Sequence, residues 1–182
     1  MKNQAFTLIE ILVVVLIIGI LAALALPRYQ LAVDKADFRK YQAMAHALTS
    51  AYEDYYLANS AAPQNFSDLS ISLPDDFTNS YTDKYGNCSS NSEMFCCISK
   101  VSSQNSGYIN CGKLDYSIVY IKSLIGVNNA EVDQENKNSK CYALVGDKSA
   151  NRFCATLGDK ATKTFVVTPQ GLKQYQRYTD II

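Results

Sequence analysis

From Phe6 to Leu26 the chain runs for 21 residues with Thr7 and Glu10 as the only polar side chains. As a helix, at 1.5 Å per residue, that run reaches about 30 Å, the thickness of a bilayer's hydrocarbon core. The N-terminal segment is therefore predicted to cross a membrane. Glu10, at the mouth of the run, then needs an explanation, because a carboxylate in hydrocarbon costs ~2.5–3.5 kcal/mol at a helix centre and less near the interface. A cationic partner would supply one. Five residues, Met1-Lys2-Asn3-Gln4-Ala5, precede the run. A cut after Ala5 would free an α-amine on Phe6, about one helical turn from Glu10, and that amine could neutralise it.

The string Ala5-Phe6-Thr7-Leu8-Ile9-Glu10 followed by Ile11 to Leu26 resembles the type III signal of type IV pilins and the related pseudopilins. The resemblance implies cleavage between Ala5 and Phe6 by a prepilin peptidase and methylation of the Phe6 amine. It also implies a charge pair between Glu10 and the N-terminal amine of a neighbouring subunit during assembly. The family usually has Gly before the cut, so Ala5 implies slower cleavage. Two other readings compete. Lys2, the apolar run and Ala23-Leu24-Ala25 also fit an ordinary secretory signal, and a plain anchor fits the run but leaves Glu10 unexplained. Against the secretory signal stand Glu10, Pro27 close behind the cut and an amphipathic pattern that follows without a break.

That pattern places Phe38, Tyr41, Ala45, Leu48, Tyr52 and Tyr55 three or four apart, with Asp34, Lys35, Arg39, Lys40, Glu53 and Asp54 mostly off the stripe. One helix from Phe6 to Asn59 is expected, about 80 Å long. Gly19 and Pro27 weaken it, and a Pro inside a membrane helix is tolerated as a kink. The resemblance adds that this segment can melt when a subunit enters a filament. Ala61 to Asn65 end the helix. The expected divisions are a leader at 1–5, a transmembrane segment at 6–27, an amphipathic continuation at 28–59 and a disulfide-stabilised domain at 60–182.

All six cysteines follow the apolar segment, and an even number in an exported chain points to a disulfide framework. Zinc is the alternative, but there is no CxxC, and the single histidine, His46, lies far upstream. Cys96 and Cys97 point to opposite faces if extended and so reach Cys88 and Cys111, in either order. Cys141 and Cys154 then pair by elimination, closing a loop of a size that stabilises by ~3 kcal/mol.

Residues 66–74 read as a short covered loop or edge strand, and residues 75–113 as the pilin-like loop between helix and sheet, held by bridges rather than by regular structure. Strands are expected at Leu114–Lys122, with Tyr116, Ile118 and Tyr120 on one face, and at Lys140–Gly146, Arg152–Gly158 and Thr164–Thr168. Gly126 to Asn138 reads as a polar loop, and Gly171 to Ile182 as a tail covering the sheet edge or hugging the domain. The predicted class is α+β: a long N-terminal α-helix, its first half membrane-spanning, packed on an antiparallel β-sheet, as in the type IV pilin fold.

Net charge is zero and no basic excess marks a nucleic-acid partner. No base–nucleophile pair emerges, and no cofactor site. His46 reads as a packing or surface residue and Asp75-Asp76 as turn residues. Asp133 and Glu135 lack a recognisable calcium-ligand spacing. Tyr29, Tyr41, Tyr52, Tyr55 and Tyr56 invite comparison with pilins proposed to conduct electrons, but an aromatic stripe at helical spacing is the signature of a core. The resemblance implies a non-enzymatic pilus subunit serving adhesion, twitching motility or DNA uptake. Its partners would be copies of itself in a helical filament, the inner membrane before assembly, the prepilin peptidase and the pilus assembly machinery, and its final place the cell-surface filament. The alternatives are a type II secretion pseudopilin and a secreted disulfide-rich binding module.

Overall fold

The computed structural model describes residues 7–83, 86–101, 106–123 and 140–180. Helix α1, Leu8–Asn59, runs unbroken through Gly19 and Pro27 for 52 residues, about 78 Å. It ends where Ser60 takes a left-handed φ of 50° and its N–H reaches the Tyr56 carbonyl at 2.8 Å. Every residue from 7 to 30 is exposed, whereas Phe38, Tyr41, Ala45, Leu48, Thr49, Ala51 and Tyr52 are buried. The chain divides into two compact units, with the boundary between Asp37 and Phe38.

Eight strands form one sheet: β1 Asn79–Asp83, β2 Gly86–Ser90, β3 Met94–Val101, β4 Ser106–Lys113, β5 Ile118–Ser123, β6 Lys140–Leu144, β7 Gly158–Thr168 and β8 Gly171–Asp180. The order is β1-β2-β3-β4-β5-β6-β8-β7, with every neighbouring pair antiparallel. A seven-residue helix, α2 at Lys148–Cys154, follows β6.

Both faces of the sheet are covered. One receives α1: Phe38 packs edge-on against Tyr120 of β5, centroids 5.9 Å apart. On the other, Cys88, Phe95, Cys97, Val119, Ile121 and Tyr142 form a cluster with Val166 of β7 and Tyr175 of β8. The β7–β8 hairpin thus covers the far side of the strands that precede it, and β7 comes close to β3. Its turn relies on Gly171, at φ 92°, whose carbonyl accepts from Thr168 Oγ1 at 2.8 Å.

The β4–β5 turn is fastened to that hairpin. Tyr116 sits at φ 62°, costly for a bulky residue, and three contacts hold it there. Its carbonyl accepts from Tyr175 Oη at 2.7 Å, Lys173 Nζ lies 4.3 Å above its ring, and Ser117 N–H donates to Asp115 Oδ1 at 2.9 Å. Burial opposes ionisation of Asp115, but the Ser117 hydrogen bonds and the Lys113 ammonium together hold its carboxyl below the ordinary carboxylate range.

Several expectations are corrected. Residues 75–113 carry four strands, not an irregular loop, because Ser, Asn and Cys side chains are small enough for β2 to be buried along its whole length. Arg152–Gly158 is not a strand. Asp147 caps a helix there, Oδ1 accepting from Ala150 N–H at 2.9 Å, and β7 begins only at Gly158. Residues 171–180 are no covering tail but the strand β8, inserted between β6 and β7. Leu114–Ser117 is a turn, so Tyr116 leaves the Ile118–Tyr120 face and joins the far cluster. The stretch 66–74 holds one 3-10 turn, Phe66–Asp68, and no strand. The expected loop at Gly126–Asn138 lies outside the described residues.

Candidate functional site

The helix start is a closed capping box. Thr7 donates from N–H and Oγ1 to Glu10 Oε2 at 2.8 and 2.7 Å, and Glu10 N–H returns to Thr7 Oγ1 at 3.4 Å. These bonds satisfy donors that a helix N-terminus otherwise leaves orphaned, and an acidic group in the first turn also suits the helix dipole. Within the chain itself the Glu10 carboxylate thus has two donors, both from Thr7, while the Phe6 amine expected to pair with it lies outside the described residues. The Thr-x-x-Glu spacing that announces such a cap was present in the sequence and went unread. Ala5 and Phe6, the residues of the expected cleavage and methylation, lie outside the described residues.

Behind the cap, the apolar run presents its side chains outward, from Leu8 at 79% exposure to Leu24 at 68%. By length and composition the helix suffices to cross a membrane. An apolar surface this extensive is one that lipid or protein normally covers. A Cβ added at Gly19 would meet nothing within 4 Å, and Pro27 lies inside the helix.

The second half of α1 is where the expected stripe packs. Tyr41 and Tyr52 are buried, Tyr55 and Tyr56 half-buried, and Tyr29 exposed. Phe38 packs against Phe153 of α2, centroids 5.6 Å apart, as well as against Tyr120. His46 Nε2 lies 3.0 Å from Tyr120 Oη. Partial burial, aided by the nearby Lys122 ammonium, pushes the imidazole below its ordinary pKa. Lys40 reaches Glu93 at 3.7 Å across exposed surface, a contact worth little.

The disulfides are Cys88–Cys97, Cys96–Cys111 and Cys141–Cys154. The first two join residues directly opposite one another across β2–β3 and β3–β4. Because Cys96 and Cys97 point to opposite faces, one bond lies in the far cluster and the other on the helix side. Asp76 sits in a turn and accepts from Asn91 Nδ2 at 2.6 Å. Asp133 and Glu135 fall outside the described residues.

Residues 1–26 match the family model for the prokaryotic N-terminal methylation motif. A type IV major pilin protein PilE1 of Neisseria gonorrhoeae is 38% identical over 72 residues, 40% of this chain and 44% of the relative. A fimbrial protein of Neisseria meningitidis serogroup A is 36% identical over 79 residues, 43% and 46% of the two chains. Type II secretion system core protein G of Klebsiella michiganensis is 47% identical over 62 residues, 34% and 44%. The matched stretch thus spans less than half the length of each relative. No solved structure matches. The chain thus carries the prokaryotic N-terminal methylation motif at the head of a long apolar helix with an antiparallel sheet behind it, an arrangement consistent with the α+β fold of type IV pilins, and over its N-terminal part it is similar to type IV major pilins.

Proposed function

We propose that this chain is a non-enzymatic structural subunit that polymerises into a type IV pilus through its N-terminal helix. The observation that carries the reading is the exposed apolar run from Leu8 to Leu26, headed by a single carboxylate and matching the methylation motif. In this reading the peptidase cuts between Ala5 and Phe6, the Phe6 amine is methylated, and the subunit waits in the inner membrane until the assembly machinery draws it into the cell-surface filament. There Glu10 exchanges its Thr7 cap for the amine of a neighbouring subunit, and the helix opens near Gly19 and Pro27. Adhesion, twitching motility and DNA uptake are the uses such a filament serves.

Mass spectrometry of the mature N-terminus tests the processing: N-methyl-Phe6 supports it, and a start after Ala25 replaces it with conventional signal cleavage. Glu10→Val tests assembly. Mature protein should persist in membranes while fibres disappear from electron micrographs, and normal fibres would remove the role given to Glu10. The match to core protein G supports a second reading, a secretion pseudopilus. Loss of secretion with intact surface fibres on deletion would favour it.

A further inference from the structure

The face that receives α1 is built on two of the three disulfides. Tyr120 stands opposite Cys111 on one side and Cys141 on the other, so all three side chains share the helix-facing side. Phe38, the first buried residue of α1, enters between Tyr120 and Phe153. Phe153 is adjacent to Cys154, and both are essentially sealed from solvent.

Helix α2 cannot hold Phe153 there unaided, since two turns are too few for a helix to persist alone. Its first turn is tied by the Asp147 cap. Its middle is tied by Asn151, which donates to the Leu144 carbonyl at 3.0 Å and accepts from Tyr178 Oη at 2.8 Å. Its last turn, the one carrying Phe153, is tied to β6 by Cys154–Cys141.

We propose that the Cys141–Cys154 bond acts on the long helix through Phe153, so that α1 seats fully on the sheet only in the oxidised domain. Two thiols exchange with a disulfide-bearing oxidant, their two electrons and two protons leaving it as a dithiol. The new S–S bond draws the end of α2 against β6 and completes the socket for Phe38. Before closure, the segment from Phe38 to Leu48 lacks one wall. Cys88–Cys97, on the opposite face, has no part in this. The inference concerns the domain alone and stands whether the chain enters a pilus or a pseudopilus.

Hydrogen exchange on the full chain in detergent tests it. In Cys141→Ser with Cys154→Ser, amides of residues 38–48 and 148–154 should exchange at least about tenfold faster while β2 to β4 keep their protection. Unchanged protection at 38–48 overturns the proposal, and so does loss of protection across the whole sheet, which would make the bond a general staple. Phe153→Ala, with the disulfide intact, should reproduce the acceleration at 38–48. It decides the matter alone if the cysteine variant does not accumulate, and unaltered protection there refutes the route through Phe153. Cys88→Ala with Cys97→Ala should leave 38–48 protected, and equal loosening there refutes it as well.

Discussion

The two halves of α1 share one backbone and little else. From Leu8 to Leu26 the apolar side chains point all round the helix, and every one is exposed. From Phe38 to Tyr52 the aromatic residues and Leu48 keep to one stripe, and that stripe is buried, while Ala43 and Ala47 off it are exposed. Pattern separates the two: a helix apolar on all sides suits a medium without water, whereas a stripe suits one partner surface. The same residue type should therefore contribute very differently in the two halves.

The largest expected contrast is between two leucines. Leu48→Ala, at a site with no exposure, should destabilise the domain by about 2–5 kcal/mol. Leu21→Ala, at a site exposed in the single chain, should stay within about 0.5 kcal/mol. Urea unfolding followed by tyrosine circular dichroism measures both, and similar losses would break the comparison. Second, Tyr175→Phe leaves the buried Tyr116 carbonyl without its donor and should cost about 1–3 kcal/mol, again by urea midpoint. Third, Asp147→Ala removes the α2 cap and should cost about 1 kcal/mol, with exchange accelerated first at residues 148–154. The smallest effect concerns pH. Because the fold depresses the His46 pKa, its contribution is fully present above the unfolded value near 6.5 and is lost as pH falls through the folded one. His46→Gln should flatten that acid slope in a stability-versus-pH series without altering stability at pH 8.

The comparison also explains what could be read in advance. Both halves of α1 were legible because long periodic runs are the strongest signal a sequence carries. Strands β1 to β4 were not: Gly86-Asn87-Cys88-Ser89-Ser90 has no alternation to find when all five residues are buried, and it lacks the β-branched residues that mark a strand. Helix α2 escaped notice because its apolar end, Phe153-Cys154-Ala155, resembles a buried strand. The cap at Asp147 could have corrected that reading, as Thr-x-x-Glu could have announced the cap at Glu10. The socket around Phe38 joins residues 38, 120 and 153, and no local pattern connects positions so far apart.

The insertion of β8 between β6 and β7 has a consequence for vectorial emergence. Synthesis from the N-terminus completes β1 to β6 first, and β6 then has an open hydrogen-bonding edge. Strand β7 does not close that edge, because its partner is β8. Only when Gly171 to Asp180 arrive is the gap filled from the chain's own reserve. Until then β6 is a template for any extended segment nearby, including one from a sister chain at the same stage. Copies of the chain made close together are thus most at risk of pairing wrongly until the last strand is complete.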